Sequence, residues 1–215
     1  MTWALVFDLD GVLLDSEQVW NEAKEQLVRE RGGRWRDDAP RRMMGMSSPE
    51  WAGYLRDELG VPLEIDAISD EVVRRLERIY RADLPLIDGA VEAVERLAAS
   101  VPLGLASSSN REIIDLFLEL SGLGSRFAAA ISSEEVERGK PAPDVYLEVL
   151  RRIGASPARS VAVEDSENGI RAAKAAGMRV LALPNPHYPP GPDALAAADD
   201  VLDSLHDLTA ERALG

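Results

Sequence analysis

The chain has 215 residues, of which 46% are hydrophobic and 29% are charged, a composition typical of a globular protein with a substantial core. Its formal net charge of −14 repels phosphate backbones, and no apolar run approaches the ~20 residues that cross a bilayer, so we expect neither a nucleic-acid nor a membrane partner. The absence of cysteine excludes a disulfide framework and a thiolate metal site, and it fits a cytoplasmic protein. We expect a monomer.

The first element is a short apolar run, Trp3–Phe7, which ends in the acidic turn Asp8-Leu9-Asp10-Gly11. This run is too short for a secretory signal and predicts a buried strand. Similar runs predict four more strands, at Val101–Ala106, Phe127–Ile131, Ser160–Val163 and Arg179–Leu183. Between them, helical spacing of apolar residues predicts helices at Gly89–Ser100, Arg111–Leu120, Asp144–Ile153 and Asn168–Ala176. The alternation predicts an α/β fold with a doubly wound, Rossmann-like parallel sheet.

Residues 15–84 interrupt this alternation with helical patterns and no convincing strand. Because the insertion follows the first strand and ends before Pro85, we expect a helical cap domain at 15–84 over a core domain made of 1–14 and 85–215. Four prolines and a glycine predict a rigid surface loop at Asn185–Pro192. The predicted cap helices are Ser16–Arg31, a short piece near Arg41–Met44, Pro49–Leu59, and Asp70–Ala82 capped by Ser69.

Polar residues follow several predicted strands, where an open parallel sheet binds its ligands. Asp8 and Asp10 follow the first strand, Ser107–Ser109 the second, and Glu164 and Asp165 the fourth. Ionised carboxylates at the end of an apolar strand repel one another and lose hydration unless a cation compensates them. Oxygen ligands favour a hard divalent cation, so Asp8, Asp10 and Asp165 predict a magnesium site.

Each of these features also has a purely structural interpretation. Asp165 or Ser166 caps the following helix, Ser107–Ser109 with Asn110 caps another, and Lys140 is a solvated charge in a turn with two prolines. The functional alternative uses the same geometry, because free amides at a helix start, joined by a hydroxyl, bind a phosphoryl group. A site built from acids also needs a positive group besides the metal, and Lys140 is placed to supply it.

Together the motifs resemble those of the haloacid dehalogenase superfamily. Asp8-Leu9-Asp10-Gly11-Val12-Leu13 resembles its first motif, Ser107 its second, Lys140 with Pro141 its third, and Glu164-Asp165 its fourth, all in order. The similarity runs the length of the chain, and the insertion at 15–84 resembles the four-helix cap of the beta-phosphoglucomutase-like branch.

The resemblance implies a magnesium-dependent phosphatase that acts on a small phosphate ester, such as a sugar or polyol phosphate. Asp8 would attack phosphorus and become an aspartyl phosphate, while Asp10 protonates the leaving alcohol and later activates water. Magnesium would be held by Asp8, the backbone carbonyl of Asp10, and Asp165, with Glu164 ordering a water. The phosphoryl oxygens would contact Ser107, Lys140 and the amides of Leu9 and Ser108, and Asn110 would assist substrate binding.

Three other activities compete on this scaffold. A dehalogenase needs neither the magnesium set nor Asp10, and a non-catalytic member would normally have a broken motif. A beta-phosphoglucomutase-like phosphomutase usually carries a histidine where this chain has Trp20, and an arginine after a cap glycine, where Gly45–Ser48 has none. Arg41 and Arg42 stand nearby as substitutes, so the mutase is the alternative function.

The cap contributes apolar residues with two interpretations. Trp20, Met43, Met44 and Met46 line the cleft and favour a partly apolar leaving group, or they form the core of the cap. The second interpretation follows from the position of Trp20 on one helical face with Ala23 and Leu27. We include Trp20 and Met46 among the substrate-binding residues.

Overall fold

The fold is a six-stranded parallel sheet flanked by helices, seen in a computed structural model that describes residues 2–43, 46–186 and 189–215. The strand order is β3-β2-β1-β4-β5-β6, and every neighbouring pair is parallel. The predicted α/β, doubly wound fold is therefore confirmed. The strands are β1 Thr2–Phe7, β2 Leu103–Ser107, β3 Phe127–Ser132, β4 Ala155–Glu164, β5 Arg179–Ala182 and β6 Asp200–Val201.

The helices divide into those that follow β1 directly and those that alternate with the remaining strands. The first group is α1 Glu17–Glu30, α2 Ala39–Met43, α3 Ser48–Asp57 and α4 Ile65–Ala82, all within the segment predicted to be the cap. The second group is α5 Ala90–Ala98, α6 Arg111–Leu120, α7 Asp144–Ile153, α8 Glu167–Ala175, α9 Pro192–Ala197 and α10 Ala210–Leu214. No helix among the described residues is both long and apolar enough to cross a membrane.

The central strand β1 determines where the site forms. Residues Ala4–Phe7 are fully buried, as expected for a strand covered on both faces. Leu5 pairs with Leu103 of β2 on one side and with Val161 of β4 on the other. The chain therefore continues to one side of β1 and later returns to the other, which makes the end of β1 the switch point where such sheets bind ligands.

The structure differs from the predicted elements in several places. The last cap helix begins at Ile65 with Glu64 as its N-cap, so Ser69 lies inside the helix and does not cap it. Ser69 and Asp70 imitate a cap in sequence, but Ile68 is buried one turn before Val72, and this packing extends the helix towards the N-terminus. The short strand β6 was not predicted, because two residues carry no detectable periodicity.

Several predicted features fall partly outside the described residues. Met44 and Gly45 lie outside the described residues, so the helical piece near Arg41–Met44 is described only as far as Met43. The loop Asn185–Pro192 includes His187 and Tyr188, which are also outside, and its last residue is the first residue of α9.

The two segments that connect the cap helices to the sheet lie side by side. Leu14 forms an antiparallel bridge with Leu86. The Asp15 amide donates to the Pro85 carbonyl at 2.8 Å, and the Ile87 amide donates to the Leu13 carbonyl at 3.0 Å. The predicted domain boundaries, after residues 14 and 84, fall within this paired connection.

Asn110 fastens the cap helices to the core. This side chain is buried at the start of α6, where its Oδ1 accepts from the Ser48 hydroxyl of α3 at 2.9 Å. Its Nδ2 donates to the Ser69 hydroxyl of α4 at 3.1 Å and to Glu134 at 2.8 Å. One amide group therefore links two cap helices to the loop after β3.

Replacing Asn110 with alanine should loosen this attachment. The Asn110→Ala protein loses all three hydrogen bonds and leaves a buried hydroxyl without an acceptor, so we expect a loss of about 1–3 kcal/mol in the free energy of unfolding. Ser69→Ala removes a single bond and should cost about 1 kcal/mol or less. Urea unfolding of the two variants measures both values, and equal losses would contradict the role given to Asn110.

Candidate active site

Lys140 joins three strand ends at the carboxyl edge of the sheet. Its Nζ lies 2.6 Å from Asp8 Oδ1, 2.6 Å from Glu164 Oε1 and 3.0 Å from the Ala106 carbonyl oxygen. Asp8 follows β1, Ala106 lies in β2 and Glu164 ends β4. Lys140 itself is buried in the loop before α7, so its interpretation as a solvated surface charge is wrong.

Burial dominates the electrostatics of this cluster. It raises the pKa of Asp8 from 3.8 to about 8, even though the Lys140 ammonium acts in the opposite direction. Burial also raises the pKa of Asp165 well above its usual value, and the neighbouring Glu164 and Asp8 raise it further. Burial alone would lower the pKa of Lys140, but the carboxylates of Asp8 and Glu164 raise it above its ordinary range. The cluster therefore has more negative than positive groups.

The carboxylates fit a divalent cation. Asp8, Glu164 and Asp165 each place one oxygen within 4.8 Å of the others. In the described part of the chain, Asp8 receives a hydrogen bond only at Oδ1, and the Asp165 carboxylate receives none. These open oxygens, and the excess of buried negative charge, are what a hard cation with oxygen ligands requires.

Glu164 differs from the other two carboxylates because both of its oxygens are already hydrogen-bonded. Oε1 accepts from Lys140 and from the Tyr146 hydroxyl, the latter at 2.7 Å. Oε2 accepts from the Asp165 amide and from the amide and hydroxyl of Ser166. Ser166 also caps α8 by accepting from the Gly169 amide, which confirms the capping interpretation for this residue.

Asp10 lies between the cap and the core, with donors on both sides. Its Oδ1 accepts from Ser16 at 2.5 Å and from the Trp20 indole N–H at 3.0 Å. Its Oδ2 accepts from Ser109 at 2.5 Å and from Ser107 at 3.4 Å. Position and orientation of this carboxylate thus depend on α1 as well as on the end of β2.

The donors of the turn after β2 are only partly paired within the protein. Ser107 is fully buried, and its hydroxyl oxygen accepts from the Ser109 amide at 2.9 Å. The first amide of α6, at Arg111, donates to Glu134 at 3.1 Å, so this helix start does not offer a free amide there. By contrast, the amides of Leu9 and Ser108 donate to no protein acceptor in the described ranges. Asn110 faces the cap helices, as described above.

A cavity opens above Asp8, between the core and the cap helices. Its volume is about 80 Å³, and it opens to solvent on one side. Asp8, Asp10, Ser108, Lys140 and Asp165 line its core side. On the cap side it is lined by Glu17, Trp20, Lys24, Met43, Met46 and Trp51.

Trp20 satisfies both interpretations of the cap residues. It is buried, and it packs edge-to-face on Trp51 with 6.0 Å between the ring centroids, as a core residue does. Its indole nitrogen also reaches Asp10, and one edge lines the cavity with Met43 and Met46. Met44, the other residue of this group, is outside the described residues.

The sequence pattern missed Lys24, Tyr146 and the capping role of Glu134. Lys24 lies one helical turn after Trp20, so the periodicity of α1 predicts that both residues lie on the same face. Tyr146 lies on the first turn of α7, and its contact with Glu164 depends on how this helix packs against the end of β4.

Gly11 allows Asp165 to approach the end of β1. It has φ of +80°, and a Cβ there would lie 1.9 Å from Asp165 Oδ2. Gly60 has nearly the same conformation, with φ of +78°, but no atom lies within 4 Å of where its Cβ would be. A substitution at Gly60 therefore tests backbone strain alone, whereas a substitution at Gly11 tests the same strain together with crowding of the Asp165 carboxylate.

Comparisons with known proteins agree on one family. A family model described as haloacid dehalogenase-like hydrolase matches residues 5–183. The chain is 33% identical over 218 residues to hexitol phosphatase B of Escherichia coli strain K12, covering 99% of this chain and 96% of that protein. It is 32% identical over 177 residues to the phosphorylated carbohydrates phosphatase of Thermotoga maritima, covering 81% and 82%. The crystal structure of CbbY from Rhodobacter sphaeroides in complex with phosphate superposes with a TM-score of 0.86 at 28% identity, covering 97% and 96%.

Alanine at Gly11 should disturb the carboxylate cluster, whereas alanine at Gly60 should not. Both variants adopt a strained φ, which costs about 1–2 kcal/mol of stability. Gly11→Ala must in addition displace Asp165, so we expect its affinity for a divalent cation to fall at least about tenfold. Calorimetric titration with Mg²⁺ measures the affinity, and an equal affinity in the two variants would show that the close approach to Asp165 is unimportant.

Proposed function

Because this chain belongs to the haloacid dehalogenase-like hydrolases, as its four motifs predicted, we propose that it is a magnesium-dependent phosphatase that works through an aspartyl phosphate on Asp8. The matched relatives are phosphatases, and the chain is accordingly a phosphoric monoester hydrolase. We further propose a sugar or polyol phosphate as substrate, which the names of the relatives support. The observation that carries the mechanism is the position of Asp8, fixed by Lys140 at one oxygen and open to the cavity.

In the first step, an oxygen of Asp8 attacks phosphorus and the bond from phosphorus to the ester oxygen breaks. The leaving oxygen takes a proton from Asp10, which begins this step protonated and ends it ionised. In the second step, Asp10 takes a proton from water, and the resulting hydroxide displaces the Asp8 oxygen from phosphorus. Inorganic phosphate is released, and both aspartates return to their starting forms.

The remaining residues bind and orient. Lys140 holds Asp8 and supplies positive charge beside the phosphoryl group, and the unpaired amides of Leu9 and Ser108 are placed to donate to its oxygens. Ser107 supports this turn through Ser109. Trp20, with Ser16 and Ser109, fixes the carboxylate that transfers the proton.

Magnesium fits this donor set. The cation would be held by Asp8, Asp165 and the backbone carbonyl of Asp10. Glu164, which belongs to the same cluster, would order a water beside it. When bound, the cation supplies charge neutralisation for the carboxylates and the phosphoryl oxygens. The excess of buried negative charge around Asp8 supports its presence.

The phosphomutase alternative is not favoured. The indole of Trp20 occupies the position where beta-phosphoglucomutases usually carry a histidine, and it donates to Asp10. Arg41 and Arg42, the proposed substitutes for the missing cap arginine, are exposed, and Arg42 lies over the Tyr54 ring at 5.5 Å. Neither arginine lines the cavity.

Asp8 and Asp10 should fail differently when replaced by asparagine. Asp8→Asn removes the nucleophile, so turnover of p-nitrophenyl phosphate should fall to background and no phosphoenzyme should form. Asp10→Asn keeps the nucleophile and loses proton transfer, which is worth about 10²–10⁴-fold, so a residual rate should survive and the aspartyl phosphate should accumulate. Intact-protein mass spectrometry before and after hydroxylamine treatment measures that intermediate.

A phosphoenzyme on the Asp8→Asn protein, or near-normal turnover by it, would show that another residue is the nucleophile. Accumulation in neither variant would remove the covalent intermediate from the mechanism.

Magnesium should stabilise the protein more at high pH than at low pH. Burial raises the pKa of Asp8 from 3.8 to about 8, so between these values the folded state retains a proton that the unfolded state has released. The free energy of unfolding of the metal-free protein therefore falls as pH rises through this window. Because Mg²⁺ pairs with the ionised carboxylates, the increase in Tm on its addition should grow from about pH 5 to about pH 8.

Differential scanning calorimetry with and without Mg²⁺ measures this difference. The Asp8→Asn protein serves as the control, because it lacks the titrating carboxyl and should show a smaller fall in Tm with pH. An increase in Tm that is the same at both pH values would contradict the link between Asp8 and the cation.

A further inference from the structure

Lys24 places a buried ammonium group on the cap wall of the cavity. The residue lies on α1, is only 6% exposed, and lines the cavity opposite the carboxylate cluster. Its Nζ lies 5.0 Å from the ring centroid of Trp20 and 4.9 Å from that of Trp51. Within the described ranges this nitrogen makes no hydrogen bond and no ion pair shorter than 4.0 Å.

A buried ammonium without acceptors is unfavourable, because three N–H donors have lost water. The two indole faces offset part of this cost through cation–π attraction, but they accept no conventional hydrogen bond. Lys140, the other cation among the described cavity residues, already has three acceptors. Among the described residues that line the cavity, Lys24 is therefore the cation that remains available to bind a ligand.

Two carboxylates, those of Glu17 and Asp10, act electrostatically on the Lys24 ammonium. Burial lowers the pKa of Lys24 to about 8, although Glu17 of α1 and Asp10 of the turn after β1 act to raise it. Neither carboxylate lies within 4.0 Å of the ammonium, and Asp10 has donors at both oxygens. The cavity residues described in α2, in α3 and in the segment between them carry no charge. They are Pro40, Met43, Met46 and Trp51.

We propose that Lys24, held between Trp20 and Trp51, binds a second anionic group on the leaving-group end of the substrate. The substrate is then a small phosphate ester that carries a carboxylate or a second phosphate away from the ester being cleaved. This inference rests on the proposed phosphatase function. Asp8 and Lys24 line the same cavity from opposite sides, so one molecule bound in it can contact both.

Methionine at position 24 tests the charge while keeping the packing of the stem. We would compare 3-phosphoglycerate with glycerol 3-phosphate, which share a three-carbon chain and differ in a carboxylate against a hydroxymethyl group. The wild type should prefer 3-phosphoglycerate by at least about tenfold in kcat/KM, and Lys24→Met should abolish the preference, mainly through KM. Glycerol 3-phosphate should change by less than about threefold.

Lys174→Met is the matched control, because Lys174 pairs with Asp199 at 2.8 Å on the surface. It should keep the preference. A second pair, fructose 1,6-bisphosphate and fructose 6-phosphate, distinguishes a distal phosphate from a distal carboxylate. A wild type that prefers the member with the second anionic group in neither pair would overturn the proposal, and so would an equal loss on both members of each pair in Lys24→Met.

A binding measurement separates this inference from the proposed function. Calorimetric titration of 3-phosphoglycerate, with Mg²⁺, into Asp8→Asn and into Asp8→Asn/Lys24→Met needs no turnover. We expect the second protein to bind at least about tenfold more weakly. Equal affinities overturn the subsite even if the wild type is an active phosphatase, whereas a difference in binding without wild-type hydrolysis overturns only the proposed function. Lys24→Gln replaces Lys24→Met in both experiments if the methionine variant does not fold.

Discussion

The ammonium of Lys140, shared between two buried carboxylates, is the interaction on which the core of the site depends. Placing Asp8 and Glu164 side by side away from water is strongly unfavourable without a cation between them. Lys140 provides that cation at 2.6 Å from each and also takes up the carbonyl of Ala106. Its three acceptors come from the ends of three adjacent strands, so one side chain fixes how these ends are arranged.

This arrangement is possible because of the strand order. With β2 and β4 on opposite sides of β1, the residues after β1 are flanked by two carboxyl ends, and a loop from before α7 can reach all three. The same topology concentrates negative charge. Lys140 balances only part of it, and the remaining excess on Asp8 and Asp165 is the physical reason for expecting a divalent cation.

The sequence predicted the sheet and its helices well where the signal is local. The bounds of α6 and α7 agree with the predicted ones, since strong helical periodicity and nearby turn residues specify both. The misplaced start of α4 shows the limit, because Ser69 has the chemistry of a cap but accepts a hydrogen bond from Asn110 in another part of the fold. The convergence of Asp8, Asp10, Glu164 and Asp165 followed from the rule about strand ends, which needs only the order of the elements.

Burial of charge was much harder to predict. Lys140 stands 132 residues from Asp8, and only the resemblance of Lys140 and Pro141 to a family motif distinguished this lysine from one on the surface. Lys24 is a similar case, since its environment is made by Trp51 of α3 as much as by its own helix. Such contacts depend on how helices pack against one another. A periodic pattern predicts which face of a helix is buried, but it does not predict which element packs against that face.

Helix α1 gives the cap a part in both selection and chemistry. Trp20 and Lys24 lie one turn apart on the same face, at a separation of about 6 Å along the axis. Trp20 donates to Asp10, the residue proposed to transfer the proton, while Lys24 lines the cap side of the cavity. A substrate anion bound at Lys24 would hold α1 against the cavity and thereby keep the indole on Asp10. Recognition of the distant end of the substrate and placement of the catalytic acid would then depend on the same turn of helix.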